Sequence, residues 1–362
     1  MSNQKLSKFY GSHRYNYHSR TDALRFLLMP FVYIVLLGFP GKYGGYISTY
    51  SNFVAQVFYI LYGFFTLVPD KDKRYRRLQR GLKRAFKFFI IMFISLSVLS
   101  ILYLIYLNTD TNLFGNASAI KHAVFNFFIL NVWPLPVGNS IWFVQSLVYA
   151  YLFFMFAEKT GLSKYYIPIL IILALFTLFT GEFAAFSGFP YRGYNYVPGG
   201  AVTRAIPYML VGMLLRKYVD KLASIPRYIY IILFPVGLLA AIGEIEFLSH
   251  IGKLVYVGHT IGFGIMALSL CCFTLSKAKV EKSFLTTHGR NYSRRLYAFC
   301  QPVALFCWIA TAIIKPEYLP VIKEYSSIIS FVISFALSFV IGLAIYSHSV
   351  SKKHKSSQES EI

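Results

Sequence analysis

The chain has 362 residues, of which 56% are hydrophobic and 14% charged, and it carries a formal net charge of +22. Soluble domains hold about 25% charged residues, so a water-soluble globule is excluded, and a mean hydropathy of +0.54 agrees. The apolar runs are continuous rather than alternating, which argues against a β-barrel. The basic residues sit in alternate connections between those runs, which argues against a nucleic-acid partner.

Ten apolar stretches approach the roughly 20 residues that carry a helix across a bilayer. They cover about 23–39, 49–69, 86–107, 140–157, 165–181, 203–216, 228–243, 255–276, 296–314 and 326–347, the sixth and seventh being short. The expectation is an all-α, polytopic membrane protein of about ten transmembrane helices. Residues 1–350 form a single membrane domain, and 351–362 a polar, disordered tail ("KKHKSSQESEI").

The first stretch, "TDALRFLLMPFVYIVLLGF", opens with Arg25, and no other ionisable group follows before Lys42. An arginine near the end of a span can snorkel to the headgroups at little cost. It can equally anchor a phosphate, because its planar fork makes paired hydrogen bonds. The polar, basic first 20 residues and the "PGKYGG" that follows the stretch lack a cleavage pattern, so a retained first span is expected.

Between the second and third spans lies "KDKRYRRLQRGLKRAFK", with nine basic residues. It reads as a loop that touches anionic lipid, and the same residues suit phosphate capture. With both termini in the cytoplasm, 28 of the 36 Lys and Arg fall in inner segments and seven in outer ones, with Arg25 at the boundary. That bias supports the span count and the sidedness together. The outer connections 108–139 and 182–203, rich in Gly, Pro, Asn and aromatics, are candidate substrate-facing loops. Cys271, Cys272, Cys300 and Cys307 all lie in apolar segments, where packing is the expected role. No metal site is expected.

Four stretches, in order, resemble the membrane acyltransferase-3 family of bacterial integral enzymes that transfer acyl groups onto sugars, glycans or lipids. "RTDALRFLLMPFVYIVLLGF" resembles its first helix. "VFYILYGFFTLVPDKDKRYRRLQRGLKR" resembles its aromatic second helix, which ends in a glycine before a basic loop. "NSIWFVQSLVYAYLFF" resembles its Trp-Phe-Leu helix, and "TRAIPYMLVGMLLRKY" the segment pairing arginine with Pro-Tyr/Phe and a glycine. "HGRNYSRRLYAFCQPV" is a weaker match to its penultimate helix.

The resemblance implies an acyl-CoA donor, acetyl-CoA above all, held by Arg25 on the cytosolic side. It implies a hydroxyl acceptor on a cell-envelope polysaccharide or glycolipid, as in O-acetylation during exopolysaccharide biosynthesis. The setting is the bacterial inner membrane, with membrane lipid around the bundle. The family's histidines are absent, however. The first-helix position is Leu36 and the penultimate-helix position is Gln301, and neither side chain can act as a general base.

His259 and Glu182 are the candidate catalytic replacements, against the plainer readings of an interfacial histidine and a solvated carboxylate. His122, His288, Glu244 and Glu246 are weaker candidates. Arg204, on the outer side against the charge bias, can snorkel, pair with Glu182 or bind an anionic substrate. It joins Arg25, Trp142, Gln145 and Gln301 as the candidate substrate-binding set. Trp142 reads by default as an interface tryptophan, with sugar stacking as the alternative. Gln145 shares its helix face and offers a hydrogen bond inside the bundle. The competing expectation is a catalytically inactive, acyltransferase-like protein that binds or translocates a polysaccharide or lipid-linked glycan.

Overall fold

The computed structural model describes residues 3–107, 121, 124–125, 127–128, 140–180, 186, 200–252, 260–276 and 284–359. Helices account for nearly all of them, and no strand occurs among them. In chain order the α-helices are α1 (Asn3–Leu37), α2 (Gly44–Tyr50), α3 (Phe53–Thr66), α4 (Lys71–Leu107), α5 (Ile141–Thr160), α6 (Tyr166–Thr180) and α7 (Ile206–Lys217). They continue as α8 (Val219–Ser224), α9 (Arg227–His250), α10 (Ile261–Leu275), α11 (Phe284–Ile314), α12 (Leu319–Glu324) and α13 (Ser326–Glu359).

Among the described residues, five helices are long and apolar enough to cross a membrane. A sixth is formed if Pro316–Glu324 and Ser326–Gly342, bent by 85°, count as one span. Each of the ten apolar stretches coincides with helix, but α3 and α7 have only 14 and 12 residues. The exposed apolar side chains concentrate on α4, α6, α9 and α13, the faces a lipid solvent would cover.

The packing order is set by a few close approaches. Gly63 of α3 lies against the backbone of Met209, and Gly212 of α7 against the backbone of Ile60 and Phe64. A Cβ at either position would overlap main-chain atoms, so these two glycines let α3 and α7 cross in contact. They are the glycines of the second and fourth family-like stretches, and packing accounts for them. Gly289 of α11 abuts the Asp22 carbonyl of α1, which brings the middle of α1 onto α11. Gly161, at φ +78, ends α5 in the left-handed conformation that favours glycine.

Three differences from the sequence reading matter for the site. Residues 71–87 are not a loop; they are the first half of α4, a single helix of 37 residues. Likewise α11 begins at Phe284 rather than near 296, so "HGRNYSRR" is helical. An arginine-rich segment continues a helix readily, because straight-chain side chains have high helix propensity. The polar tail is helical as far as Glu359, as the last turns of α13.

Candidate functional site: an arginine-lined cavity

Arg25 does face inward. It borders a cavity of about 750 Å³ walled by α1, α3, α4, α5 and α11. Six arginines line it: Arg25, Arg77, Arg80, Arg84, Arg294 and Arg295. Among the described residues, the lining includes no Asp, Glu, His, Lys or Cys.

Helical spacing places these charges. Arg77, Arg80 and Arg84 are three and four residues apart, so they form one face of α4. Lys73, Lys83 and Lys87 of the same helix are exposed and lie outside the lining. Arg294 and Arg295 reach the mouth because α11 starts early, and Arg25 reaches it because Gly289 lets α1 close on α11.

Few of the six are neutralised. The Arg25 Nη1 lies 3.2 Å from Oδ1 of Asp22, one turn earlier, so the arginine that the sequence left alone has a carboxylate neighbour. Its guanidinium also stands 5.8 Å from the Phe65 ring centroid. Arg77 Nη1 donates to the Phe65 carbonyl at 2.6 Å, and Arg295 Nη1 to the Ser338 carbonyl at 3.3 Å. Arg80, Arg84 and Arg294 are exposed and make no ion pair among the described residues. Six arginines with no carboxylate among the described lining residues give a positive hollow. Such a field focuses anions, and guanidinium forks match phosphate oxygens.

The cavity is deep. Its lining runs from Arg25 to Leu36 on α1, from Thr66 back to Val54 on α3, and from Tyr151 back to Trp142 on α5. At 1.5 Å per residue each path is about 14–18 Å. Phe65 and Tyr151 stand among the arginines, and a larger aromatic cluster gathers around Phe143, beginning one turn from Arg294 at Tyr297. There Phe143 stacks on Tyr59 at a centroid distance of 4.6 Å and packs against Tyr297 at 5.6 Å, Trp142 at 6.0 Å and Phe58 at 6.1 Å. Polar bonds pin the backbone beneath: Tyr59 Oη donates to the Phe143 carbonyl at 3.3 Å and Tyr297 Oη to the Ser140 carbonyl.

The candidate residues separate cleanly. Arg25 and Trp142 line the cavity, and so does Leu36, at the depth where the family pattern has histidine. Arg204 lies outside the lining but its guanidinium stacks on Trp142 at 5.0 Å, presented by a π-helical turn at Ala201–Ala205. Gln301 is buried and accepts from Ser140 N at 2.9 Å and Ser140 Oγ at 2.7 Å, which fixes the start of α5. It is not in the lining. Gln145 is buried on another face, donating to the Phe127 carbonyl at 2.6 Å and Tyr149 Oη at 3.0 Å.

Glu244 accepts from Gly262 N at 3.3 Å between α9 and α10, and Glu246 is exposed. His259, Glu182 and His122 lie outside the described residues, as does the side chain of His288. Sequence reasoning did not single out Arg80, Arg84, Arg294, Tyr62, Phe143 or Tyr297. The 3–4 spacing of arginines through "RRLQRGLKR" was the available signal for the α4 group.

No family model, curated protein or solved structure matches this chain.

Proposed function

We propose that this protein is an acyltransferase-3-like membrane protein of about ten spans. It takes an acyl group from a cytosolic acyl-CoA and delivers it to a hydroxyl of a cell-envelope polysaccharide or glycolipid. The observation that carries the reading is the cavity with six arginines and no carboxylate in its described lining. A coenzyme A ester brings several phosphate charges on one end and a slender arm bearing the thioester on the other. Arg80, Arg84 and Arg294 receive the phosphates, Arg25 stands just inside them, and the arm follows the apolar wall past Met29, Val32 and Phe58. The strong bias of basic residues to one set of connections supports a cytoplasmic mouth.

A second reading is favoured by one specific feature. The described lining has no imidazole, carboxylate or thiol to take the proton of an attacking hydroxyl. A protein that binds or moves a phosphate-linked glycan without acyl transfer needs the arginines and no base. Expression in a host deficient in envelope acyltransferases, with mass analysis of its glycans, separates the two. New ester groups that disappear in Arg25→Ala establish transfer. A host that gains no ester although the purified protein binds phosphate-linked glycan establishes the second reading.

A further inference from the structure

Phe143 is the hub of an aromatic wall that borders the cavity. It meets aromatic rings from α3, α5 and α11, at centroid distances from 4.6 to 6.4 Å. The wall is fixed rather than free to swing. Tyr59 and Tyr297 bond the carbonyls of Phe143 and Ser140, and Gln301 holds the Ser140 amide and hydroxyl. Behind it the Arg204 guanidinium stacks on Trp142, a residue that itself borders the cavity. An occupant held by its phosphates at Arg25, Arg80 and Arg84 meets this wall further along the cavity, where Phe143 and Trp142 narrow it, while Tyr297 stands one turn from Arg294.

We infer that Phe143, with Trp142 and Tyr297, is a ruler that limits the acyl group to a short chain, acetyl before butyryl and both before octanoyl. The inference rests on the acyl-CoA reading of the same cavity. Close-packed rings do not yield space to extra methylenes without shifting, so each added carbon has to displace the wall or draw the phosphates off their arginines. Phe143→Ala removes the hub ring and lengthens the slot. Phe143→Leu does so partly and keeps an apolar side chain at the position.

The test is calorimetric titration of the purified full-length protein in nanodiscs with coenzyme A, acetyl-CoA, butyryl-CoA and octanoyl-CoA. Thermal unfolding of each variant confirms folding. The expected result is octanoyl-CoA binding about tenfold or more weakly than acetyl-CoA, the scale of a few misplaced methylenes in a pocket. Phe143→Ala brings the two within about threefold, and Phe143→Leu falls between. Equal binding of all chain lengths by the native protein overturns the ruler while leaving the donor reading intact. So does an unchanged length ratio in a folded Phe143 variant. Absence of binding by coenzyme A and every ester overturns the donor reading and the ruler with it.

Discussion

Arg74 and Arg84 stand on the same helix and meet opposite surroundings. Arg74 turns toward α5, where its Nε lies 2.7 Å from Oε1 of Glu158 and its Nη2 donates to Oε2 at 2.9 Å. Tyr166 Oη donates to the same carboxylate at 2.8 Å, and Arg74 Nη1 donates to the Val68 carbonyl at 3.0 Å. The Glu158 side chain is 1% exposed, so this is a largely buried ion-pair cluster tying α4, α5 and α6. Arg84, Arg80 and Arg294 look into a hollow without a carboxylate in its described lining. The protein has 36 Lys and Arg against 14 Asp and Glu. Where its few carboxylates are placed separates the arginines that tie helices together from those that line the cavity.

Breaking the buried cluster has the largest expected effect. Glu158→Ala leaves the largely enclosed Arg74 without its carboxylate, and costs up to about 3 kcal/mol in unfolding free energy. Unfolding in detergent micelles measures it, and replacing Arg74 by Met in the same background recovers most of the loss. The open region responds the other way. Arg80→Ala and Arg84→Ala each weaken binding of a phosphate ligand by about tenfold and leave the unfolding midpoint in place. Raising salt weakens the native protein's binding in the same direction, because the mouth is exposed.

The aromatic wall lies between these extremes. Gln301→Leu leaves Ser140 N and Oγ without their acceptor and costs about 1–3 kcal/mol of stability, with phosphate affinity at the mouth unchanged. The smallest effect is at the exposed start of α4. Asp70 accepts from the Lys73 amide at 3.0 Å, and that bond, with the Lys73 ammonium beside it, lowers its carboxyl below the ordinary 3.8. The stabilisation is present above the ordinary value and fades as pH falls through the lowered one. Asp70→Asn, which retains an acceptor, flattens that acid limb in an unfolding series from pH 5 down to about pH 2.

The helical class was legible because composition alone rules out water as the solvent for this surface, and length fixed the apolar stretches to within a few residues. Helix boundaries on the polar side were not. "KDKRYRRLQRGLKRAFK" reads as a loop because its charge marks the end of a span, while its backbone simply continues as helix. Arg25 was legible as a lone charge beside an apolar run. Its neighbours Arg294 and Arg295 are about three quarters of the chain away and meet it because Gly289 seats α11 against Asp22. Gln301 shows the opposite case: a position singled out by a family pattern serves here to anchor the first turn of α5. Phe143 stood in the Trp-Phe stretch of that helix, but its place as a hub was not legible, since nothing local distinguishes a hub from any other of the 35 phenylalanines.

The most direct measurement is a calorimetric titration of coenzyme A into the purified protein, run beside the Arg80→Ala/Arg84→Ala double variant and Glu158→Ala. The account predicts saturable, salt-sensitive binding by the native protein. It predicts loss of about a hundredfold in the folded double variant, and near-native affinity in whatever fraction of Glu158→Ala remains folded. Native protein that fails to bind, or a double variant that binds as the native protein does, contradicts it.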